Sequence, residues 1–311
     1  MCDDNLKPKI IIICGPTALG KTSMAIKVAE IFNGEIIGAD SMQIYRYMDI
    51  GTAKPTADEQ SHVAHHMIDL IDPDEHFDAR QFAEMAYEKI IRLYARGITP
   101  FVVGGTGLYI KALVHGLFKA GPSDMHVRER LQKQARIYGA DFLHQKLRRY
   151  DPDTAERIHP NDSYRIIRAL EVHELTGKTI TAFQRDHGFK DHRFRVLKIG
   201  LHIDRWVLYD RINHRVDAMM DSGFLDEVKG LLDMGYSEEL KSMQSIGYRH
   251  LVDFIKGRCS WDETMRILKR DTRRYAKRQL TWFKADPEIS WKEPGQLREI
   301  RQLIKKFLQA E

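Results

Sequence analysis

The chain has 311 residues, of which 43% are hydrophobic and 30% are charged, and its cysteines, Cys2, Cys14 and Cys259, are far apart. This composition excludes a disordered chain and a collagen-like fibre, and cysteines so dispersed exclude a disulfide scaffold and a zinc finger. The longest apolar run, Ile10 to Cys14, is far shorter than the roughly 20 residues of a membrane span, and the acidic first residues argue against a signal peptide. We therefore expect a cytoplasmic protein that does not contact membranes.

Charge is divided unevenly along the chain. Residues 1–117 carry 11 Lys and Arg against 15 Asp and Glu, a net charge of −4, whereas residues 118–311 carry 38 against 29, a net charge of +9. An acidic first part and a basic second part suggest a small-molecule site followed by a surface for a polyanion. The charge alone leaves ordinary solvated helices open as the alternative.

The first hundred residues alternate between strand and helix patterns. Lys9 to Cys14 is a continuous apolar run, typical of a strand buried on both faces. Apolar spacing predicts helices over Thr22 to Phe32 and Phe77 to Tyr94, and short apolar runs predict strands over Glu35 to Ala39 and Thr99 to Val103. This alternation predicts an α/β fold with a parallel sheet.

Residues 118–195 have a different pattern, because they are highly charged and have helical periodicity. We expect them to form a helical insert domain. A strand over Val196 to His202 is then expected to rejoin the first sheet. Helices are predicted within the insert over Val127 to Tyr138, Phe142 to Tyr150 and Tyr164 to Thr176, and after it over Trp206 to Ser222, Leu225 to Met234, Gly247 to Lys256 and Trp261 to Phe283.

A phosphate-binding loop directly follows the first predicted strand. The pattern G-x-x-x-x-G-K-[ST] is matched by Gly15-Pro16-Thr17-Ala18-Leu19-Gly20-Lys21-Thr22. Its backbone N–H groups and Lys21 can hold phosphate oxygens, and Thr22 can ligate Mg²⁺. The motif predicts diphosphate binding without identifying the molecule that carries the diphosphate. It makes the fold class α/β with a P-loop NTPase-like parallel sheet core, formed by residues 1–117 and 196–311.

Asp40 follows the second predicted strand, at the edge of a parallel sheet where ligands bind. Its carboxylate could accept a proton from a substrate. A turn or N-cap role ahead of Ser41 is the open alternative, since Asp is common in such positions. No apolar run ending in Asp resembles a Walker B strand, so we expect an atypical metal site.

A basic segment lies between Arg266 and Lys284, where eight Lys and Arg accompany a single acidic residue, Asp271. On a helix, these cations could face phosphates while another face packs against the protein. That second face is predicted to hold Leu268, Thr272, Tyr275, Gln279 and Trp282. A solvated helix surface is the alternative interpretation.

Several longer motifs resemble those of the tRNA dimethylallyltransferases, also called tRNA isopentenyltransferases. They occur in the family's order along nearly the whole chain. The absence of cysteines for a C-terminal zinc finger resembles the bacterial form. The matching segments are Asp40 to Tyr45, Met48 to Pro55, Gly104 to Tyr109, Arg165 to Val172, Arg211 with Arg215, Gly247 to Arg249, and Lys277 to Trp282.

The resemblance implies transfer of a dimethylallyl group from dimethylallyl diphosphate to N6 of the adenosine immediately 3′ of the anticodon, with Mg²⁺ as the cofactor. It implies that Asp40 takes the N6 proton, that Thr17 contacts the donor, and that Arg215 neutralises the diphosphate. The partner would be the tRNA anticodon stem-loop, bound by a monomer. The predicted tRNA contacts are Asp40, Ser41, Met42, Gln43, Thr106, Arg128, Tyr164, Arg165, Arg168, Gly247, Tyr248, Arg249, Arg274, Lys277 and Arg278.

Two other functions each explain part of the sequence. A small-molecule or nucleotide kinase would use the phosphate-binding loop but would leave the basic segment without a role. A non-catalytic RNA-binding protein would use the basic segment but would leave the phosphate-binding loop unexplained. Prenyl transfer to tRNA is the hypothesis that uses both parts of the chain.

Overall fold

The computed structural model describes residues 7–118, 121, 124–188 and 193–310. The chain forms two compact units, one of Met1–Val114 with His192–Glu311 and the other of His115–Asp191. The second unit therefore starts three residues before the predicted insert and ends four residues before its predicted end.

The first unit contains a parallel sheet and the helices that cover it. Its strands are β1 (Lys9–Cys14), β2 (Gly34–Gly38), β3 (His65–His66), β4 (Thr99–Gly104), β5 (Arg195–Leu201) and β6 (Ser290–Lys292). Its helices are α1 (Lys21–Ile31), α2 (Ala57–His62), α3 (Ala79–Ala95), α4 (Gly107–His115, whose last residue belongs to the second unit), α10 (Arg205–Asp221), α11 (Phe224–Asp233), α12 (Tyr248–Ile255), α13 (Trp261–Lys284) and α14 (Leu297–Gln309).

The strands of the sheet lie in the order β3-β2-β4-β1-β5-β6, and every pairing is parallel. The predicted α/β fold is thus confirmed. The apolar run of β1 is central, with Ile10 to Ile13 fully buried between β4 and β5. Because the strands are parallel, the loops after β1, β2 and β4 meet at one edge of the sheet.

Helices pack on the sheet through small and branched apolar side chains. The first helix begins after Gly20, which has a left-handed φ of 71°, and buries Ala25 and Val28 in the core that also holds Ile300 and Ile304 of α14. The sequence patterns missed α4, whose residues from Tyr109 to Val114 are nearly all buried and show no polar stripe. They also missed β3 and β6, which are only two and three residues long.

The second unit is helical, as predicted. It comprises α5 (Met125–Tyr138), α6 (Ala140–Tyr150), α7 (Pro152–Arg157), α8 (Ser163–Thr176) and α9 (Ile180–His187). Its core contains Leu131, Leu143, Leu147, Ile166 and Leu170. The short helices α7 and α9 were not predicted. Within the described part of the chain, no helix is both long and apolar enough to cross a membrane.

A buried carboxylate organises this helical unit. Glu171 of α8 is fully buried and accepts hydrogen bonds from the Asp124 backbone N–H at 2.8 Å, from Arg128 Nε at 2.9 Å and from an Arg168 guanidinium nitrogen at 2.7 Å. Charge-assisted bonds of this kind are strong, and the loss of one partner leaves the others unsatisfied.

We expect Glu171→Ala to lower the free energy of unfolding by about 2 to 4 kcal/mol, because three donors lose their acceptor. The matched control is Glu174→Ala on the same helix, because the Glu174 side chain is 22% exposed whereas that of Glu171 is fully buried. Glu174→Ala is expected to lower the free energy of unfolding by less than about 1 kcal/mol. Chemical denaturation of the full chain measures both variants. Equal losses would contradict the role assigned to Glu171.

Candidate active site

A cavity of about 1000 Å³ lies at the edge of the sheet where β1, β2 and β4 end. Its walls come from the loop after β1, the segment from residue 40 to 57, α10, the loop before α12, and α13. The cavity brings together many of the predicted site residues, namely Thr17, Ala18, Leu19, Gly20, Lys21, Thr22, Asp40, Ser41, Met42, Gln43, Arg215, Gly247 and Tyr248.

The phosphate-binding loop is held in place from α13. The Thr17 backbone N–H donates to Gln279 Oε1 at 2.9 Å, and Gln279 Nε2 donates to the Gly105 carbonyl at 3.0 Å. A Cβ atom on Gly105 would lie 2.2 Å from Gln279 Nε2, so any side chain there would displace the Gln279 amide. Gln279 therefore connects the loops after β1 and β4. The sequence placed Gln279 on a packing face but gave no sign of this connection.

Two cations and one carboxylate face the same cavity. Burial, and to a smaller extent the positive charge of Arg215, lower the pKa of Lys21 to about 8, while the Asp40 carboxylate opposes both effects. Burial likewise lowers the pKa of Arg215, and Asp40 again opposes the shift. Arg215 is thus a partly buried cavity residue and not an ordinary surface arginine. The two cations make the cavity suited to an anion.

The Asp40 carboxylate has two faces with different environments. The Met42 backbone N–H donates to Oδ1 at 2.9 Å, which is the turn role that the sequence left open. No described group donates to Oδ2, and Asp40 lines the cavity. The turn role of Asp40 is therefore confirmed for one oxygen, and the role of proton acceptor stays a prediction for the other.

The segment after Asp40 is supported from behind by the loop after β4. The Ser41 backbone N–H donates to Thr106 Oγ1 at 3.0 Å, and the Thr106 backbone N–H donates to the Ala39 carbonyl at 3.1 Å. A Cβ atom on Gly104 would lie 2.0 Å from the Ala39 carbonyl oxygen. The close contact between these two backbone segments therefore requires glycine at position 104. Thr106 does not line the cavity; it positions Ser41, which does.

The residues at the cavity fit a Mg²⁺ ion bound mainly through a diphosphate. The Thr22 hydroxyl lines this cavity and offers an oxygen ligand of the kind that Mg²⁺ prefers. Across the described ranges, no group of three or more His, Cys, Asp and Glu side chains could hold a metal by itself. Such a site leaves most ligand positions to water and phosphate oxygens.

The cations of the basic segment on α13 differ in whether they have acidic partners. Within the first half of the segment, Arg273 bonds a neutral partner, Asn213 Oδ1. The other four cations there pair with acidic side chains, so their charge is more compensated than the sequence indicated. These pairs are Arg266 with Glu263, Lys269 with Asp217, and Arg270 and Arg274 with Asp271. Asp271 also pairs with Arg249 of α12. Lys277, Arg278 and Lys284 are exposed and have no acidic partner in the part of the chain that the structure describes.

The opposite face of α13 packs as predicted. Leu268 and Gln279 are buried, and Tyr275 lies at the cavity, where burial and the charge of Asp40 raise its pKa. Trp282 is partly exposed and covers Gly107, where a Cβ atom would lie 2.1 Å from Trp282 Nε1. One face of α13 thus builds the cavity, and another carries the unpaired cations.

The remaining predicted RNA contacts have varied surroundings. In the helical unit, Tyr164 and Arg165 are exposed, whereas the charges of Arg128 and Arg168 are taken up by Glu171. In the first unit, the ring of Tyr248 is buried and its hydroxyl donates to Glu227 Oε1 at 2.6 Å. The sequence gave no sign of this contact between Tyr248 and Glu227.

Comparison with known proteins gives consistent matches. The family model described as IPP transferase matches residues 43–286. A tRNA dimethylallyltransferase of Desulfosudis oleivorans is 54% identical over 303 residues, which covers 97% of this chain and 96% of the relative. A second relative, tRNA dimethylallyltransferase 1 of Pelobacter propionicus, is 52% identical and covers 92% of this chain and 93% of its own length.

Solved structures agree with these matches. The full-length tRNA isopentenylpyrophosphate transferase of Bacillus halodurans has a TM-score of 0.73 at 42% identity, with 97% of each chain covered. A eukaryotic dimethylallyltransferase acting on tRNA has a TM-score of 0.76 at 27% identity, covering 96% of this chain and 77% of that one. The fold and the sequence therefore point to the same group of proteins.

The lowered pKa of Lys21 predicts that diphosphate binding depends on pH. The charged ammonium binds the anion, so affinity for inorganic pyrophosphate should be highest below pH 8. It should weaken as the pH rises through about 8, by up to about tenfold per pH unit. Titration calorimetry measures this. Lys21→Arg is the control, because its guanidinium stays charged; a profile in that variant that is identical to the wild-type profile would contradict the assignment.

Proposed function

The chain belongs to the tRNA dimethylallyltransferase family, and we propose that it transfers the dimethylallyl group of dimethylallyl diphosphate to N6 of the adenosine immediately 3′ of the anticodon. The observation that carries this proposal is one cavity that combines a phosphate-binding loop, two cations and a carboxylate. Family membership decides against the kinase and the non-catalytic RNA-binding protein. A tRNA substrate also makes the cytoplasm the expected place of action.

The donor side of the cavity would receive the diphosphate. The backbone N–H groups of residues 18–22 and the charges of Lys21 and Arg215 are at the cavity, where they could neutralise a diphosphate leaving group as its bond to carbon breaks. Thr17 would contact the same group. Bound Mg²⁺, held by Thr22, would add positive charge at the phosphate oxygens.

The acceptor side would be formed by Asp40 and the residues after it. The exocyclic N6 of adenine is a weak nucleophile, because its lone pair is delocalised into the ring. As the N6–carbon bond forms and the carbon–oxygen bond to diphosphate breaks, the nitrogen becomes acidic. Asp40 Oδ2 would then take the proton from N6. Because Oδ1 is held by Met42, the free oxygen has a fixed direction.

Delivery of a tRNA adenosine to this cavity requires that the base leave its stack. The exposed cations Lys277 and Arg278 on α13 would bind phosphates near the cavity, since the same helix contributes Tyr275 and Gln279 to the cavity wall. In the helical unit, Tyr164 and Arg165 are the exposed candidates for RNA contact. We propose that fewer residues contact the RNA than the sequence indicated.

We expect Asp40→Asn to lower the turnover rate by about 10² to 10⁴, because the general base is lost. The amide oxygen can still accept from Met42, so the backbone should keep its shape, and tRNA affinity should stay within a few fold. Incubation with dimethylallyl diphosphate and unmodified tRNA, followed by mass analysis of the nucleosides, measures the product. Turnover at the wild-type rate would rule out Asp40 as the base.

The unpaired cations of α13 give a second test. Replacement of Lys277 and Arg278 by Ala should reduce the slope of log affinity for tRNA against log salt by about 1 to 2, because each phosphate contact releases counterions. Binding of dimethylallyl diphosphate should not change. Arg266→Ala is the matched control, since Glu263 already neutralises this arginine. An unaltered slope in the double variant would place the tRNA elsewhere.

A further inference from the structure

A single carboxylate holds three consecutive backbone N–H groups at the wall of the cavity. Glu227, in the first turn of α11, accepts from Asp49 N at 2.9 Å and from Ile50 N at 2.6 Å through Oε2, and from Gly51 N at 3.1 Å through Oε1. The Tyr248 hydroxyl also donates to Oε1, at 2.6 Å. Four donors on one ionised group form a set of strong hydrogen bonds.

The held segment is closely packed as well. A Cβ atom on Gly51 would lie 2.2 Å from the ring of Phe224 and 2.6 Å from the ring of Tyr248. These two rings meet edge to face, with centroids 5.0 Å apart. The far end of the segment is fixed by Lys54, whose buried ammonium pairs with Asp49 and, at 2.6 Å, with Asp69. Residues 49–54 therefore have little freedom to move.

This segment determines the orientation of Gln43. Gln43 Nε2 donates to the Thr52 carbonyl at 3.2 Å and to the Ala53 carbonyl at 3.0 Å. Because both amide protons are used in this way, the amide is held with Nε2 toward the segment and Oε1 is left as an acceptor. No described group donates to Oε1. An acceptor at this place in the cavity suits an amino group and disfavours a carbonyl.

We propose that Glu227 is a positioning residue for the acceptor base: it holds residues 49–51, the Thr52 and Ala53 carbonyls next to them orient Gln43, and Gln43 Oε1 accepts from an amino group of the extruded base. This inference rests on the proposed function, because it takes the base at this wall to be the acceptor adenine. Guanine would present a carbonyl at its C6 position, which Gln43 Oε1 would repel.

The test compares Glu227→Gln, Gln43→Ala and the double variant. Glu227→Gln keeps the size of the side chain but removes its charge and places an amide donor among the N–H groups. We expect it to lower kcat/KM for tRNA at least tenfold and to leave the Kd for dimethylallyl diphosphate within twofold. In the Gln43→Ala background, Glu227→Gln should add less than about threefold, because it acts through Gln43.

Asp226→Asn is the matched control. Asp226 lies on the same turn of α11 and, among the described residues, pairs only with the exposed Lys229. Its replacement should leave kcat/KM for tRNA unchanged. If Glu227→Gln does not fold, Tyr248→Phe is the second variant. It removes the hydroxyl that donates to Glu227 and leaves the three backbone hydrogen bonds. It should therefore lower kcat/KM for tRNA by less than Glu227→Gln, without changing the Kd for dimethylallyl diphosphate.

Three results would overturn the inference. Independent losses from Glu227→Gln and Gln43→Ala in the double variant would mean that Glu227 does not act through Gln43. If Glu227→Gln weakened the binding of dimethylallyl diphosphate as much as it lowered kcat/KM for tRNA, Glu227 would be a purely structural residue. Full activity of Gln43→Ala would remove Gln43 from the acceptor site. Failure of the proposed function itself is a separate result, since the wild-type protein would then make no prenylated tRNA.

Discussion

The site depends on two cations, Lys21 and Arg215, that the fold keeps partly buried in one cavity. Lys21 is the first residue of α1, and its position follows from the buried β1 and the glycine turn before the helix. Arg215 lies on α10, which is anchored to the core through Ile212 and Val216. Burial is the main cause of the lowered pKa of Lys21, and the positive charge of Arg215 adds to it. An anionic ligand would stabilise both charges where they are partly removed from water, which favours its binding.

The helix α13 contributes both to the wall of the cavity and to an exposed basic surface. Gln279 bonds the phosphate-binding loop to the loop after β4, while Lys277 and Arg278, within two residues of it, face solvent. A helix can do this because neighbouring residues point in directions about 100° apart. Contact of RNA with the exposed face would therefore act on a rigid element that also fixes the donor loop.

Short sequence patterns were sufficient to predict the elements whose structure depends on neighbouring residues in the chain. The buried strand β1, the phosphate-binding loop and the position of Asp40 all follow from short runs of residues, and so does the amphipathic face of α13. Glu227 could not be found in this way, because its partners are the backbone N–H groups of residues 49–51, far away in sequence. A backbone N–H group leaves no trace in the side-chain sequence. The partners of the basic segment were missed for a related reason, since Asp217 lies on another helix.

Asp40 illustrates why a structural and a chemical role need not compete. The sequence offered a turn residue or a proton acceptor as alternatives, but a carboxylate has two oxygens. One oxygen bonded to the Met42 backbone N–H fixes the side chain without consuming the other. A general base works best when its free lone pair already points at the reacting atom, because no conformational freedom is then lost during the reaction. The turn that made Asp40 look ordinary in the sequence is what gives its free oxygen a defined direction in the cavity.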